Sequence, residues 1–267
     1  MKTYKEHYKK CLEVYNGDSN KNIYNVSLEK NCIELDENLL HSIYIDVQNH
    51  LKRNHDIVQT KWATYVNDFN TISGLEKLCH DVVSNLEEKY FNSFVKIENL
   101  HILQNNIDSP LESSWIWHYD DCPQEFLKFA VYLSDVDDRS GPMSYVMGSN
   151  NTVPVIESYR DHPGAIKGYP PPVFPKSRVP KHFVDSILSK GGHIETLTGK
   201  LGTNFLFTPN IIHKGNNPCS RSVREGIVKP RNAIFMFIRP SMKKIKNLTT
   251  AAKAKKANVN VKKYNLD

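Results

Sequence analysis

The stretch SSWIWHYD, residues 113–120, decides how this chain is read. It has the composition of a short strand, and in an extended chain residues i and i+2 point to the same face. His118 and Asp120 therefore project side by side, imidazole beside carboxylate. A second apolar run, NFLFTPNIIH (residues 204–213), ends in His213. Two strands of one barrel can bring these three side chains together. Two histidines and one carboxylate on one face of a metal make the facial triad used with non-haem Fe(II), a set that leaves coordination positions open. Among 11 histidines and 29 acidic residues a His-x-Asp pair also arises by chance, the alternative being a surface histidine near an acid. The surroundings must decide.

Working outward, the chain from Phe94 reads as short apolar runs between turn signals. The runs are FVKIENLHILQ, FLKFAVYLSDV, PMSYVMG, HIETLTG, GTNFLFTP and RNAIFMFIRP. Gly141–Pro142, Gly148–Ser149–Asn150, Gly191–Gly192 and Asn216–Asn217–Pro218 punctuate them. The first 93 residues read mostly helical. Leu40, Ile43, Val47 and Leu51 share one helical stripe, and Leu75, Leu78, Val82 and Leu86 another, with Thr71 or Ser73 as the cap before Glu76. Short strands after helices suggest a mainly β chain, a barrel or double-sheet jelly roll buttressed by N-terminal helices. Between residues 150 and 190 lie seven of the 14 prolines, ahead of a short helix in KHFVDSILSK. Such a stretch, about 153–190, reads as a lid over a site or as a plain surface loop.

The chain has 267 residues, 39% apolar and 10% aromatic, enough for one sizeable core. Residues 1–240 are expected to form a single domain. No run of eighteen apolar residues exists and the first residues lack an apolar signal core, so a cytoplasmic protein without membrane insertion is expected. Five scattered cysteines without a CxxC pair are read as reduced bystanders. The net charge of +6 is local: residues 241–267 carry eight lysines against Asp267, and the rest is near neutral. This stretch is read as a solvated basic tail, and no module for specific nucleic-acid binding is evident.

Taken together, WHYDD…FLKFAVYLSDVDDRSGPMSYVMGSN and then GTNFLFTPNIIHKGNNP…RNAIFMFIRPS resemble the phytanoyl-CoA dioxygenase-like branch of Fe(II)/2-oxoglutarate-dependent oxygenases. The match spans roughly residues 94–240 and rests on the order of its motifs. It implies a double-stranded β-helix, cupin-like, with Fe(II) on His118, Asp120 and His213. It also implies 2-oxoglutarate and O₂ as co-substrates, with succinate and CO₂ released. Arg231 would pair with the far carboxylate of 2-oxoglutarate, since a planar guanidinium can bind a buried carboxylate through two bonds. Arg221 and Arg224 compete for that role because the segment after His213 is longer than in the family. Arg231 is preferred because an apolar strand follows it. Lys128 sits where related enzymes place a co-substrate contact, and it serves so only if it points inward. Trp115 and Trp117 are read as core rather than as a substrate platform.

Asp120 fills the position that related halogenases keep small for chloride, so the resemblance implies hydroxylation or a related oxidation. Asn150 and Gly215 depart from the family, the latter where some relatives carry a hydroxyl near 2-oxoglutarate. The expected substrate is a small polar metabolite, such as an amino acid or a sugar derivative, and the oligomeric state stays open. The rival reading is a non-catalytic jelly-roll protein that binds a metal or ligand.

Overall fold

The computed structural model describes residues 3–16, 23–111, 113–120, 122–150, 152 and 177–255. Three helices precede the main strands. Helix α1 (Tyr4–Tyr15) starts at a Thr3–Glu6 capping box, and α2 (Glu37–Arg53) starts at Asp36, whose carboxylate accepts from the Asn38 and Leu39 N–H groups. The predicted stripes of α2 and of α3 (Leu75–Leu86) are buried. The cap of α3 differs from expectation: Gly74 holds that place, and the Thr71 hydroxyl bonds to the Asp68 carbonyl oxygen instead. Glu76 accepts from the Leu248 and Thr249 N–H groups, far along the chain.

Among the described residues the strands are β1 (Leu28–Lys30), β2 (Ile57–Gln59), β3 (Ala63–Val66), β4 (Val95–Asn105), β5 (Leu127–Tyr132), β6 (Met143–Met147), β7 (His193–Leu197), β8 (Asn204–Phe207), β9 (His213–Gly215) and β10 (Asn232–Pro240). They form two antiparallel sheets, ordered β1-β8-β5-β10-β4-β3-β2 and β7-β6-β9. From β4 onward the chain crosses back and forth between the sheets. Alternate residues of β5 and β10 serve opposite faces of the large sheet. Leu127, Phe129, Ile234 and Met236 pack with α2 and α3, while Ala130, Tyr132, Phe235 and Phe237 join Met143 and Tyr145 of the small sheet. Both faces are covered, which is why these strands read as unbroken apolar runs.

Two short helices, α4 (Lys181–Leu188) and α5 (Ser220–Arg224), sit in the later connections. Helix α4 lays Val184 and Ile187 against Tyr119, Val146 and Ile212. Of the Pro-rich stretch, residues 153–176 lie outside the described residues. Among the described residues no helix is long and apolar enough to cross a membrane. The five cysteines, all among the described residues, form no disulfide.

The lysine-rich stretch departs from expectation as far as Lys255; residues 256–267 lie outside the described ones. Helix α6 (Leu248–Ala251) docks on Glu76, and the Lys253 ammonium pairs with buried Glu98. Lys253 also bridges β4 in parallel, its N–H donating to Glu98 O at 3.1 Å and its carbonyl accepting from Leu100 N–H at 3.1 Å. The reason is geometric. Strand β3, Ala63–Val66, pairs with residues 102–105 of β4, which leaves the earlier edge of that long strand for the C-terminal segment to cover.

Candidate metal centre

Residues 113–120 do not form a strand. Residues Ser113–Trp115 make a tight helical turn, and only His118 takes part in β pairing. The His118 N–H donates to His213 O at 2.9 Å, and the His213 N–H returns to His118 O at 2.7 Å. On its other side this stretch pairs with residues 177–179, through Val179 N–H to Trp117 O at 2.8 Å. The local backbone is extended enough to keep His118 and Asp120 on one face. His213 opens β9 instead of ending the preceding strand: β8 stops at Phe207, and the Thr208–Pro209–Asn210 turn carries the chain to the small sheet. Pro209 has no N–H to continue the ladder.

One ligand atom from each of His118, Asp120 and His213 falls within a mutual 4.8 Å. Asp120 Oδ2 lies 3.4 Å from His213 Nε2. Each imidazole uses Nδ1 to reach a backbone carbonyl, Ile116 O at 2.9 Å and Ile211 O at 2.8 Å. With Nδ1–H donating there, each ring keeps its lone pair on Nε2, the tautomer a metal ligand requires. Burial first, then the neighbouring His213 ring, pulls His118 well below the usual imidazole range, against the opposing pull of Asp120. It therefore stays in the neutral, ligating form. Tyr145 stacks on His213 at 5.7 Å and fixes the ring plane. A second His/Asp group, His55–Asp56–Asp68, is largely exposed and lacks this support.

Lys128 points inward. It is buried, forms an ion pair with Asp120 Oδ2, and lies 4.2 Å from the centre of the Phe237 ring. Its pairing is thus with the candidate metal ligand. Arg231 is buried too, and it lines the same cavity of about 540 Å³ as the triad and Lys128. Register shows their separation. Asn99, Phe237, Lys128 and Phe207 form one row across the large sheet, and His101, Phe235, Ala130 and Phe205 form the next. Successive rows on one face lie about 7 Å apart. Arg231 sits beyond both rows, and its guanidinium carbon reaches back to 5.9 Å from the Phe235 ring.

Arg231 Nη2 donates to Asn105 Oδ1 at 3.0 Å, while Nε and Nη1 have no hydrogen-bond partner among the described residues. The nearby Tyr132 hydroxyl donates to Leu197 O, and its oxygen interacts electrostatically with the guanidinium. A buried guanidinium with two unmet donors and no facing carboxylate is costly unless an anion joins it. The competing arginines lie outside: Arg224 pairs with Asp108 and Arg221 with Glu225, all exposed.

Trp115 is buried, as expected, and it also lines the cavity. Because the backbone turns at residues 113–115, its ring leaves strand alternation and walls the cavity against Gly215. A Cβ on Gly215 would stand 2.2 Å from that ring. Space is why glycine is here and a hydroxyl residue is not. Trp117 instead lies beside Lys214, whose Nζ is 4.9 Å from its ring. Gly141 answers a different demand, with φ of +86° and Asn216 O only 2.6 Å from where a Cβ would stand. Asn99, His101 and Asn105 are cavity residues that the motif reading passed over. Their signal was weak: they share one phase of β4, but Lys96, Glu98 and Gln104 are polar on the other.

No protein-family model matches the chain, and no curated protein is detectably similar to it. Solved structures are similar in fold. One is the non-heme alpha ketoglutarate dependent carbocyclase SnoK from nogalamycin biosynthesis, at TM-score 0.53 and 13% identity, over 89% of this chain and 86% of that one. EctD from S. alaskensis with 2-oxoglutarate and 5-hydroxyectoine gives 0.54 and 13%, over 86% and 84%. The epimerase SnoN in complex with Fe3+, alpha ketoglutarate and nogalamycin RO gives 0.53 and 14%, over 87% and 83%. This chain shares their fold. The closeness of His118, Asp120 and His213 within it is this chain's own observation.

Proposed function

We propose that this protein is a double-stranded β-helix enzyme that uses non-haem Fe(II), 2-oxoglutarate and O₂ to oxidise a small molecule. The observation that carries the reading is one cavity holding both a His-Asp-His set and a buried arginine with unmet donors. His118 Nε2, His213 Nε2 and an Asp120 oxygen would hold the metal. Two neutral imidazoles and one carboxylate suit Fe(II) and leave positions for co-substrates. Iron bound there supplies the redox chemistry that couples oxidative decarboxylation of 2-oxoglutarate, to succinate and CO₂, with substrate oxidation.

The protein's own residues do the rest. Arg231 meets the distal carboxylate with its unmet Nη1 donor, while Asn105 holds Nη2 in place. Trp115, Phe235 and Phe237 limit water around the centre. Lys128, paired with Asp120, offsets the carboxylate charge until a metal takes over that task. The outcome proposed is hydroxylation or a related oxidation, within the phytanoyl-CoA dioxygenase-like branch. The test is succinate release from anaerobically Fe(II)-loaded protein given 2-oxoglutarate and then O₂, with a metabolite panel. Iron-dependent succinate is expected; none in any mixture, with iron bound at one per chain, overturns the proposal.

A further inference from the structure

Trp115 holds a donor that neither the metal set nor Arg231 uses. The residue is only 5% exposed, and its indole N–H has no hydrogen-bond partner among the described residues. An indole N–H can donate and cannot accept, and a buried donor left unpaired is costly. What completes it must be an acceptor.

Register places the ring. On β9, His213 and Gly215 lie two residues apart and share a face, opposite Tyr145 and Met143 of β6. One step further, Asn216 N–H donates to Pro142 O at 2.9 Å, and Gly141 O accepts from Asn105 Nδ2 at 3.3 Å. Asn105 is the residue that holds Arg231. From metal ligand to arginine, the order along this wall is therefore His213, Gly215, Asn105. Trp115 covers the middle of it. The edge against Gly215 is the benzene one, Cζ3, Cε3 and Cη2, so Nε1 lies on the edge turned away from β9.

A co-substrate that reaches from the metal to Arg231 must pass this ring. Arg231 has Nη2 on Asn105 and Nη1 unmet. A carboxylate that takes Nη1 with one oxygen keeps its other oxygen for a second donor. The Tyr132 hydroxyl gives its proton to Leu197 O and does not serve. We propose that the Trp115 indole N–H donates to the distal carboxylate of 2-oxoglutarate, beside Arg231. This rests on the oxygenase reading for the identity of the ligand. The ring that bars a side chain at position 215 then supplies a donor in its place.

Calorimetric titration of full-length, Mn(II)-loaded protein with 2-oxoglutarate tests it. Trp115→Phe keeps an aromatic ring in the wall and removes the N–H. Its affinity for 2-oxoglutarate is expected to fall about tenfold, as for a lost hydrogen bond to a charged group. Its affinity for Mn(II) alone should not change. Pyruvate, an oxo acid without the distal carboxylate, should bind wild type and Trp115→Phe equally. Benzothienylalanine at 115, with sulfur where indole has N–H, should reproduce the loss with the bulk of the ring kept. Trp62 also lines the cavity and has an unpaired N–H, so Trp62→Phe is the control, expected to bind 2-oxoglutarate as wild type does. Full affinity in Trp115→Phe or in the isostere, an equal loss for pyruvate, or a loss that follows Trp62→Phe instead overturns the assignment. Each of these leaves the oxygenase reading standing. Wild-type protein that binds Mn(II) and no 2-oxoglutarate overturns both.

Discussion

Asp120 carries two relationships at once, to the imidazoles and to Lys128. Asp120→Ala should abolish tight Fe(II) binding and also strand a buried ammonium. We expect a loss of about 2–3 kcal/mol in urea unfolding, below the range for fully buried pairs because Asp120 keeps some solvent contact. Adding Lys128→Met should recover most of that stability without restoring iron. Recovery of neither, or of both, would show that the pair is not the reason. Arg231 behaves in the opposite sense. Arg231→Met removes an uncompensated buried charge, so the metal-free protein should melt no lower than wild type, while the 2-oxoglutarate requirement rises at least tenfold. Arg224→Ala, at an exposed pair with Asp108, should change neither. His118 and Asp120 were readable because residue type and i, i+2 spacing encode them locally, whereas His213 was readable from the apolar run it follows and the order of motifs. Choosing among Arg221, Arg224 and Arg231 was not readable from spacing. That choice depends on which arginine the β9–β10 connection turns inward.

At the scale of elements, periodicity located α2, α3, β4 and β10, since each keeps one period over many residues. It failed at residues 113–120 and at β9, where pairing to other strands, not local pattern, sets the backbone. It failed again for the C-terminal segment, where a count of lysines hides that Lys253 has a buried partner. Glu98 opposes burial through Lys253 and then Arg239 and Lys96, and its carboxyl ends below the ordinary range. Glu76 likewise ends below it, through Thr249 and Leu248. A carboxyl lowered on folding contributes stability above its unfolded pKa, and that stability is lost as pH falls through the folded value. Docking of residues 248–255 should therefore hold at neutral pH and weaken below about 4.5, the ordinary carboxylate range. Hydrogen exchange checks it: the amides of Leu100, Leu248, Thr249 and Lys253 should lose protection together on acidification. Glu98→Gln should shift that loss to neutral pH for Leu100 and Lys253. Unchanged protection in the variant would mean that packing of α6 alone holds the segment.

For the whole molecule, the large sheet divides labour between its faces. One is packed against helices for stability, and the other is left partly open for the site. A metal that binds only the folded state adds stability by mass action, about 2.7 kcal/mol at a hundredfold excess over Kd. For a chain of this size that corresponds to a rise in Tm of roughly 5–10 °C. Anaerobic Fe(II) should give such a rise in wild type and none in His213→Ala; equal shifts in both would place the ion elsewhere. The general architecture was legible in the alternation of apolar runs and turns. Which inward positions stay unfilled was not, because a cavity belongs to no single strand.

The contact between Trp115 and Gly215 has a consequence for descent. The two positions stand a hundred residues apart in the chain, yet neither can change alone toward bulk. Relatives of this protein should therefore show coupled variation, a side chain at 215 appearing only in lineages where 115 has shed its indole. An engineer who wants a hydroxyl in the cavity at that place must make the same exchange, Trp115→Leu before Gly215→Ser, in that order.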